Sequence, residues 1–308
     1  MSNAKRIPAF FNPESGSAEG ARDALSAAGL FDIREVQPGR LEEEVRKSVK
    51  AGASRVLMSG GDGTIRCGAA AVAGTPVELA IMPCGTLNHF ARDHGIPVDL
   101  KEALQVAGGE SVVTADAGYV NEHIFLNTSS IGAYVTFMRV RERLEPRLGY
   151  RIASLFALLR TFFIMRTMTV EIEVEGRPMI YRTPLVFIGV GERELQVPTL
   201  GNRVSGGRRG LHVLVVSGRE KARMLLLAWE AVTRGIESAA RAPELDSFIV
   251  DRCRISMSRS DTTVALDGEA VRLRTPLEYR FEKDILRIVR AADDLSATQS
   301  AREEKRPD

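Results

Sequence analysis

Residues 55–64 read RVLMSGGDGT, an apolar run that passes directly into a glycine-rich turn. The run from Arg55 to Ser59 has the length and composition of a buried strand, and the alanine-rich stretch up to Ala73 is typical of a helix. Glycine accepts backbone conformations that other residues avoid, so Gly60 to Thr64 predicts a tight turn between the two. The segment therefore predicts one strand–turn–helix unit.

The same order of elements is found on both sides of this unit. Before it, Ile7 to Phe11 indicates a strand, Asn12 to Gly16 a polar loop and Ala18 to Ala28 a helix. After it, Leu79 to Met82 indicates a further strand, and the loop that begins at Pro83 precedes a short helix. Alternating strands and helices predict an α/β domain with a doubly wound parallel sheet.

The second half of the chain has a different pattern, rich in strands and poor in helices. Strands are predicted at 112–116, 124–127, 169–175, 180–190, 211–216, 249–257, 262–266 and 271–281, and helices at 148–165 and 220–236. These elements favour a mostly antiparallel second domain. The predicted organisation is an α/β domain over 1–118, a second domain over 119–284, a return to the first domain over 285–295 and a disordered tail over 296–308.

Composition excludes several classes of protein. The chain has 308 residues, 44% of them hydrophobic, a formal net charge of +2 and three cysteines. Scattered cysteines argue against a disulfide framework, and the N-terminus lacks the apolar stretch of a signal peptide, so we expect a cytoplasmic protein. The small net charge and the absence of known nucleic-acid motifs argue against a nucleic-acid partner. No apolar run is long enough to predict a spanning helix.

Three loops are predicted to meet at one edge of the parallel sheet: Asn12 to Gly16, Gly60 to Thr64 and Pro83 to Asn88. Ligands bind beyond the carboxyl ends of the strands in such sheets, and glycine N–H groups at helix N-termini suit phosphates. Asp62 would repel a bare phosphate, but it suits a phosphate that carries Mg²⁺. The simpler alternative is an ordinary tight turn in which Thr64 caps the next helix. P-loop and protein-kinase signatures are absent.

The chain resembles the diacylglycerol kinase catalytic family through motifs spread over most of its length. The first three are Asn12-Pro13-x-Ser15-Gly16, Gly60-Gly61-Asp62-Gly63-Thr64 and Pro83-x-Gly85-Thr86-x-Asn88-x-x-Ala91-Arg92. The resemblance continues with Asp116-x-Gly118, Phe125-Leu126-Asn127, Gly132 and Asp267-Gly268-Glu269. It implies a nucleotide-binding first domain and a lipid-binding β-sandwich second domain, with a cleft between them.

The resemblance also implies the site residues and cofactors, which are ATP and Mg²⁺. Asp62 and Glu269 would be the catalytic residues, Asp62 in the metal and hydroxyl network and Glu269 as proton acceptor. The nucleotide would be bound by Asn12, Ser15, Gly16, Gly60, Gly61, Asp62, Gly63, Thr64, Arg66, Gly85, Thr86 and Asn88. A hairpin turn is an alternative role for Asp267-Gly268-Glu269, since Asp-Gly is a strong turn signal.

Some positions depart from the family pattern. His89 stands where relatives often have an aspartate of the magnesium network, and Arg66 suits either a phosphate contact or a solvated helix position. The segments around Gly189 and Arg208 lack the acidic residues of a structural metal site, so we expect that metal to be absent.

The implied acceptor is a membrane lipid: diacylglycerol, a sphingoid base, ceramide or phosphatidylglycerol. Five arginines precede the apolar stretch 155–164, an arrangement typical of peripheral contact with an anionic membrane surface at its inner face. We expect most of that helix to be core, with a membrane-facing edge. A homodimer is compatible with this interpretation. Two other functions remain open, an NAD kinase that also carries the Gly-Gly-Asp-Gly-Thr turn, and a lipid-binding protein without kinase activity.

Overall fold

The computed structural model describes residues 6–13, 18–196, 199–216 and 245–291, and the chain forms two compact units. Within the described residues, unit 1 contains 6–13, 18–116 and 283–291, and unit 2 contains the remainder from 117 to 282. Ser15, Gly16, the helix predicted at 220–236 and the tail from 296 lie outside the described residues.

Unit 1 is built around a parallel sheet. Its elements are β1 (Ile7–Phe11), α1 (Ala18–Ala28), β2 (Phe31–Glu35), α2 (Leu41–Lys50), β3 (Arg55–Gly60), α3 (Asp62–Val72), β4 (Glu78–Pro83), α4 (His89–Asp93), α5 (Leu100–Gly108) and the start of β5 (Val112–Val120). The strand order is β2-β1-β3-β4, all parallel. The end of a later strand pairs in parallel with β4 through Arg287 and Ile288.

Apolar residues at helical spacing attach the helices to this sheet. Leu25 of α1 and Ala103 of α5 share one buried cluster with Leu57 and Ala80 of the strands. In α2, Leu41 and Val45 are buried, while glutamates fill the first turn and lysines the last, which complements the helix dipole. The sequence did not predict α5, although Asp99 caps it by accepting hydrogen bonds from the N–H groups of Lys101 and Glu102.

Unit 2 is mostly antiparallel. Its elements are β6 (His123–Phe125), β7 (Thr128–Gly132), α6 (Ala133–Ile164), β8 (Met168–Val174), β9 (Arg177–Thr183), β10 (Leu185–Val190), β11 (Arg193–Gln196), β12 (Thr199–Arg203), β13 (Leu211–Val216), β14 (Leu245–Val250), β15 (Arg252–Met257), β16 (Asp261–Leu266), β17 (Glu269–Arg274) and β18 (Leu277–Val289), whose end belongs to unit 1. One sheet has the order β14-β13-β10-β7-β16-β17, and β18, β15, β8 and β9 pair in a second.

The core of unit 2 lies between these two sheets. Ile131, Val186 and Val264 from the first sheet share a buried cluster with Ile172 and Ile255 from the second. Strands that bury one face against another sheet form a sandwich. The predicted fold class, a parallel α/β domain followed by a mostly antiparallel β-sandwich, is confirmed.

Helix α6 is longer than the sequence predicted. The helix expected at 148–165 is the second half of α6, which begins at Ala133 and bends at Gly149, where φ is 71° and ψ is 164°. The first half carries several arginines and ends close to Pro146, which hid its apolar periodicity. In the part of the chain that the structure describes, no helix is both long and apolar enough to cross a membrane.

Candidate functional site

Three loops lie at the carboxyl edge of the unit 1 sheet, as the sequence predicted. Asn12 follows β1, Gly61 follows β3 and precedes α3, and the loop from Cys84 to Asn88 follows β4. Strands β1, β3 and β4 are neighbours, and β2 lies on the other side of β1. The chain therefore reverses its direction of winding between β1 and β3, which is where open α/β sheets bind ligands.

Glycines allow two of these loops to approach closely. A Cβ atom on Gly85 would lie 2.6 Å from the Cα of Gly61 and 2.9 Å from Oδ1 of Asn88. The Asn88 side chain, which is buried, accepts a hydrogen bond from the Gly85 N–H (2.9 Å) and donates one to the Gly85 carbonyl (2.8 Å). Asn88 is thus a positioning residue for the loop, and its own backbone adopts a left-handed φ of 51°.

The Asp62 carboxylate links α3 to α4. Asp62 is the first residue of α3, and its oxygens accept hydrogen bonds from the N–H groups of His89 and Phe90, both at 3.2 Å. These N–H groups open α4, so Asp62 acts as a cap for a helix other than its own. The carboxylate is half-buried and keeps lone pairs for another ligand.

The remaining predicted residues lie along the same edge. Gly63, Thr64 and Arg66 belong to the first two turns of α3 and are half-buried, and Thr86 is exposed. Thr64 is not the capping residue, because the helix begins at Asp62 and Gly61 takes the N-cap position. Helix α3 packs tightly against β3 at Gly68, where a Cβ atom would lie 2.3 Å from Cγ of Met58.

This donor set fits phosphates better than a protein-only metal site. Backbone N–H groups of a glycine turn at the start of α3 suit anionic oxygens. Among the described residues, no group of three or more His, Cys, Asp or Glu side chains is arranged to hold a metal ion. Magnesium typically uses one or two carboxylates together with phosphate oxygens and water, and Asp62 would supply the one carboxylate.

In unit 2, Asp267-Gly268 is a tight hairpin turn between β16 and β17. Asp267 has φ 48° and Gly268 has φ 91°, the pair of positive values that a type I′ turn requires. The Asp267 carboxylate accepts hydrogen bonds from the N–H groups of Leu126 (2.7 Å), Asn127 (2.7 Å) and Thr128 (3.0 Å). Asp267 therefore fixes the hairpin to the segment before β7.

Glu269 is the first residue of β17 and is exposed. Asp62 belongs to unit 1 and Glu269 to unit 2, so their joint action stays a prediction. Asn127 of unit 2, part of a family motif in the sequence, lies in the segment that Asp267 binds. Its side chain is 3% exposed, and its Oδ1 atom has no hydrogen-bond partner within the described part of the chain, which is unusual for a buried acceptor.

Other motif residues shape the interior of unit 2. A Cβ atom on Gly118 would lie 2.3 Å from the ring of Phe125, which packs edge-on against Tyr279. The buried Tyr279 hydroxyl is 2.9 Å from the Ser129 hydroxyl. Burial raises the pKa of Tyr279, so it stays protonated and serves packing rather than proton transfer.

Comparison with known proteins identifies the class to which this fold belongs. Residues 6–120 match the family model described as the diacylglycerol kinase catalytic domain. A "Probable lipid kinase YegS-like" of Pseudomonas putida is 31% identical over 202 residues, which cover 64% of this chain and 63% of the relative. A protein of the same description from Pseudomonas syringae pv. tomato is 34% identical, with coverages of 56% and 58%. The chain thus spans about three fifths of the length of these curated relatives.

The fold is also found among solved structures. A diacylglycerol kinase from Bacillus anthracis str. Sterne superposes with a TM-score of 0.66 over 94% of this chain and 98% of that one, at 18% identity. At that identity the likeness concerns the fold alone. Through residues 6–120, the chain is similar to the diacylglycerol kinase catalytic family.

Proposed function

We propose that this protein transfers the γ-phosphoryl group of ATP to a hydroxyl group of a membrane lipid. The observation that carries the proposal is the close approach of Gly61 and Gly85 at the carboxyl edge of the sheet, beside the Asp62 carboxylate. Such a surface presents backbone N–H groups to phosphates and a carboxylate to the metal ion that accompanies them.

Each residue of the edge has a role in this proposal. The N-terminal turn of α3, with Gly60, Gly61 and Gly63, binds the triphosphate, and Arg66 and Thr86 contribute side chains. Asp62 orients a magnesium ion whose other ligands are phosphate oxygens and water. Magnesium neutralises the charge that develops on the phosphates during transfer.

On the acceptor side, Glu269 accepts the proton of the lipid hydroxyl, and the amide oxygen of Asn127 accepts a hydrogen bond from the lipid. Asp267 holds the segment of Asn127 and the hairpin of Glu269 in a fixed arrangement. A positioned base contributes typically ~10² to 10⁴-fold to a rate. Diacylglycerol, ceramide, a sphingoid base and phosphatidylglycerol are the acceptors to test.

The protein is proposed to act as a cytoplasmic, peripheral enzyme that meets its lipid at an anionic membrane surface. Exposed apolar residues of α6 support this placement. Leu155, Phe156 and Phe163 are 58%, 55% and 71% exposed, which core packing does not explain. The expectation that most of this helix is core is wrong, because only Ala153, Ala157 and Thr161 are buried among the described residues 152–164.

Radiolabelled ATP and mixed micelles of each lipid test the proposal, with NAD assayed in parallel. We expect lipid-dependent incorporation of phosphate and a loss of at least ~10²-fold in kcat for Asp62→Asn and Glu269→Gln. Asp23→Asn and Glu122→Gln, exposed carboxylates elsewhere on each unit, are the matched controls.

The outcome separates three functions. Phosphorylation of NAD but of no lipid would identify a dinucleotide kinase. Lipid binding without turnover, unchanged by either carboxylate variant, would identify a lipid-binding protein that is not a kinase. Both results would contradict the proposal.

A further inference from the structure

A cavity of about 530 Å³ in unit 2 has an unusual charge pattern. It lies between the two ends of α6 and the turn that joins β15 to β16, and three of its lining side chains are Arg139, Arg166 and Arg259. No Asp or Glu is found among the described residues that line it. We call it the arginine pocket.

The three guanidinium groups lack acidic partners. All three residues are exposed, and within the described residues none of them forms an ion pair; Arg139 donates a hydrogen bond to the Thr263 hydroxyl at 3.2 Å. Some exposed arginines elsewhere in unit 2 are paired, as Arg272 is with Asp261 at 2.8 Å. Three exposed guanidinium groups that share one cavity, with no carboxylate among its described lining, favour an anionic ligand there.

A second cavity in the same unit shows the contrast. It measures about 410 Å³ and is lined by Arg252, Arg254 and Arg280 together with Glu173, Glu175 and Glu278. Its charges balance within the protein, and Arg254 pairs with Glu278 at 3.1 Å. The arginine pocket is therefore the one of the two that is suited to an anionic ligand.

The start of α6 adds to the positive potential. Gly132, Ala133 and Thr136 line the arginine pocket, so the positive end of the helix dipole lies at the cavity wall. Guanidinium groups bind phosphate oxygens in pairs, and helix N-termini favour the same anion. The volume is within the range of sites for small ligands.

An apolar surface adjoins the arginine pocket and indicates that a phosphate bound there would belong to a lipid. Ile164 lines the cavity and is 48% exposed, and it continues the exposed face of α6 formed by Leu155, Phe156, Leu159 and Phe163. Residues 146–170 contain four arginines and no Asp or Glu. An apolar face flanked by uncompensated arginines matches the interface of an anionic bilayer.

We propose that the arginine pocket binds the phosphate group of an anionic phospholipid, in a bilayer that the exposed face of α6 contacts. This inference rests on the proposed membrane contact and is independent of catalysis. The pocket is at the Gly132 end of β7 and the Thr262 end of β16. Five residues of extended chain, roughly 16 Å at ~3.3 Å per residue, separate Thr262 from Asp267. The bound lipid is thus an anchor distinct from the acceptor at Glu269.

Vesicle sedimentation of the full chain without ATP tests this inference. Vesicles of phosphatidylcholine alone are compared with vesicles that also contain phosphatidic acid or phosphatidylglycerol. The variant Arg139→Gln/Arg166→Gln/Arg259→Gln is expected to bind the anionic vesicles about 10- to 100-fold more weakly than the parent protein. The matched control Arg22→Gln/Arg40→Gln/Arg272→Gln removes the same charge from exposed, paired arginines and is expected to bind within about twofold of the parent.

If the two triple variants lost vesicle binding equally, net charge alone would explain the effect, and the proposed phosphate site would be wrong. Unchanged binding of the first variant would overturn it as well. A charge-conserving variant, Arg139→Lys/Arg166→Lys/Arg259→Lys, is expected to show an intermediate loss, because lysine cannot bind phosphate through two parallel N–H groups. Titration with inorganic phosphate separates the sources, and tight phosphate binding with no preference among vesicles would contradict a lipid ligand.

The result is distinguishable from a failure of the proposed function. A chain that selects anionic vesicles through these arginines but phosphorylates no lipid would leave this inference standing and overturn the kinase assignment. A chain that phosphorylates lipid in detergent with unchanged rates in the glutamine variant, yet loses vesicle binding, would support both.

Discussion

A Cβ atom on Gly85 would lie 2.6 Å from the Cα of Gly61, closer than real Cβ contacts allow. The loops that follow β3 and β4 can therefore approach this closely only because residue 85 is glycine. The Asn88 side chain holds the Gly85 peptide in this position through both its N–H and its carbonyl group.

Gly85→Ala is expected to separate the two loops and to weaken nucleotide binding. The contact is with backbone, which cannot move aside as a flexible side chain could. We expect the KM for ATP to rise by at least about tenfold, a loss of ~1.4 kcal/mol in binding, while the melting temperature changes little. Steady-state kinetics and thermal unfolding measure the two effects.

Gly39→Ala is the control for this substitution, since a Cβ atom there meets nothing within 4 Å. Gly68→Ala is a second comparison, in which stability and not nucleotide binding is expected to change. It crowds Met58 beneath α3 and is expected to lower stability by ~1–3 kcal/mol. If Gly85→Ala left nucleotide affinity unchanged, the loops would not form the phosphate site.

Asp62 has two roles that substitutions can separate. Asp62→Asn keeps an oxygen that accepts an N–H group of α4 but loses the charge, so we expect a small change in stability and a large loss of activity. Asp62→Ala also removes the cap and is expected to cost a further ~0.5–2 kcal/mol. Urea unfolding and kcat, measured on both variants, make the comparison. Equal stability of the two variants would show that the cap contributes nothing.

Asp267 is expected to matter more for the stability of unit 2 than its exposed neighbours. In Asp267→Asn an amide NH₂ group replaces one carboxylate oxygen, so at least one of the three N–H groups of residues 126–128 loses its acceptor. Asparagine also adopts the positive φ of this turn, so any loss of stability comes from the lost hydrogen bonds. We expect ~1–3 kcal/mol by urea unfolding.

Asp261→Asn is the matched control in the same hairpin. Asp261 pairs with Arg272, whose side chain is 76% exposed, and such surface pairs contribute ~0–1 kcal/mol. A loss at Asp261 as large as that at Asp267 would contradict the structural role assigned to the Asp267 carboxylate.

His212 gives unit 2 a dependence on pH. Its Nδ1 accepts a hydrogen bond from the Arg193 N–H at 3.0 Å and its Nε2 is 2.7 Å from the Ser247 hydroxyl, so the buried ring is neutral. Burial lowers the pKa of His212, against the opposing effect of Glu192. The unfolded chain therefore binds a proton that the folded chain does not, and stability is full above pH ~6.5 and falls as the pH drops toward the lower, folded pKa.

We expect the free energy of unfolding to decline by up to ~1.4 kcal/mol per pH unit within that window through His212 alone. His212→Asn, which keeps an acceptor for the Arg193 N–H but does not titrate, is expected to flatten the slope. His123→Gln removes an exposed histidine and serves as the control. Identical slopes for the parent protein and His212→Asn, from urea unfolding between pH 5 and 8, would rule out this contribution.

The local patterns predicted much of the fold correctly. The apolar run before Gly60 and the alternation of strands and helices predict a parallel sheet because both are properties of neighbouring residues. The Asp267-Gly268 turn follows from the same short-range chemistry. The sequence missed α5, although its apolar residues recur at helical spacing and Asp99 caps it. It also missed the first half of α6, where arginines and glutamates interrupt the apolar residues.

The sequence alone determined the family motifs, the glycine turns and the order of the strands along the chain, since each depends on residues close together in the chain. Only the tertiary structure showed that Asp62 caps α4, that Asp267 binds the segment of Asn127, and that Arg139 and Arg259 share one cavity. The two hydrogen bonds join residues that are 27 and 140 positions apart in the chain. Such contacts form when strands pair and helices pack. Residue propensities and sequence spacing do not predict such contacts, because they depend on long-range packing.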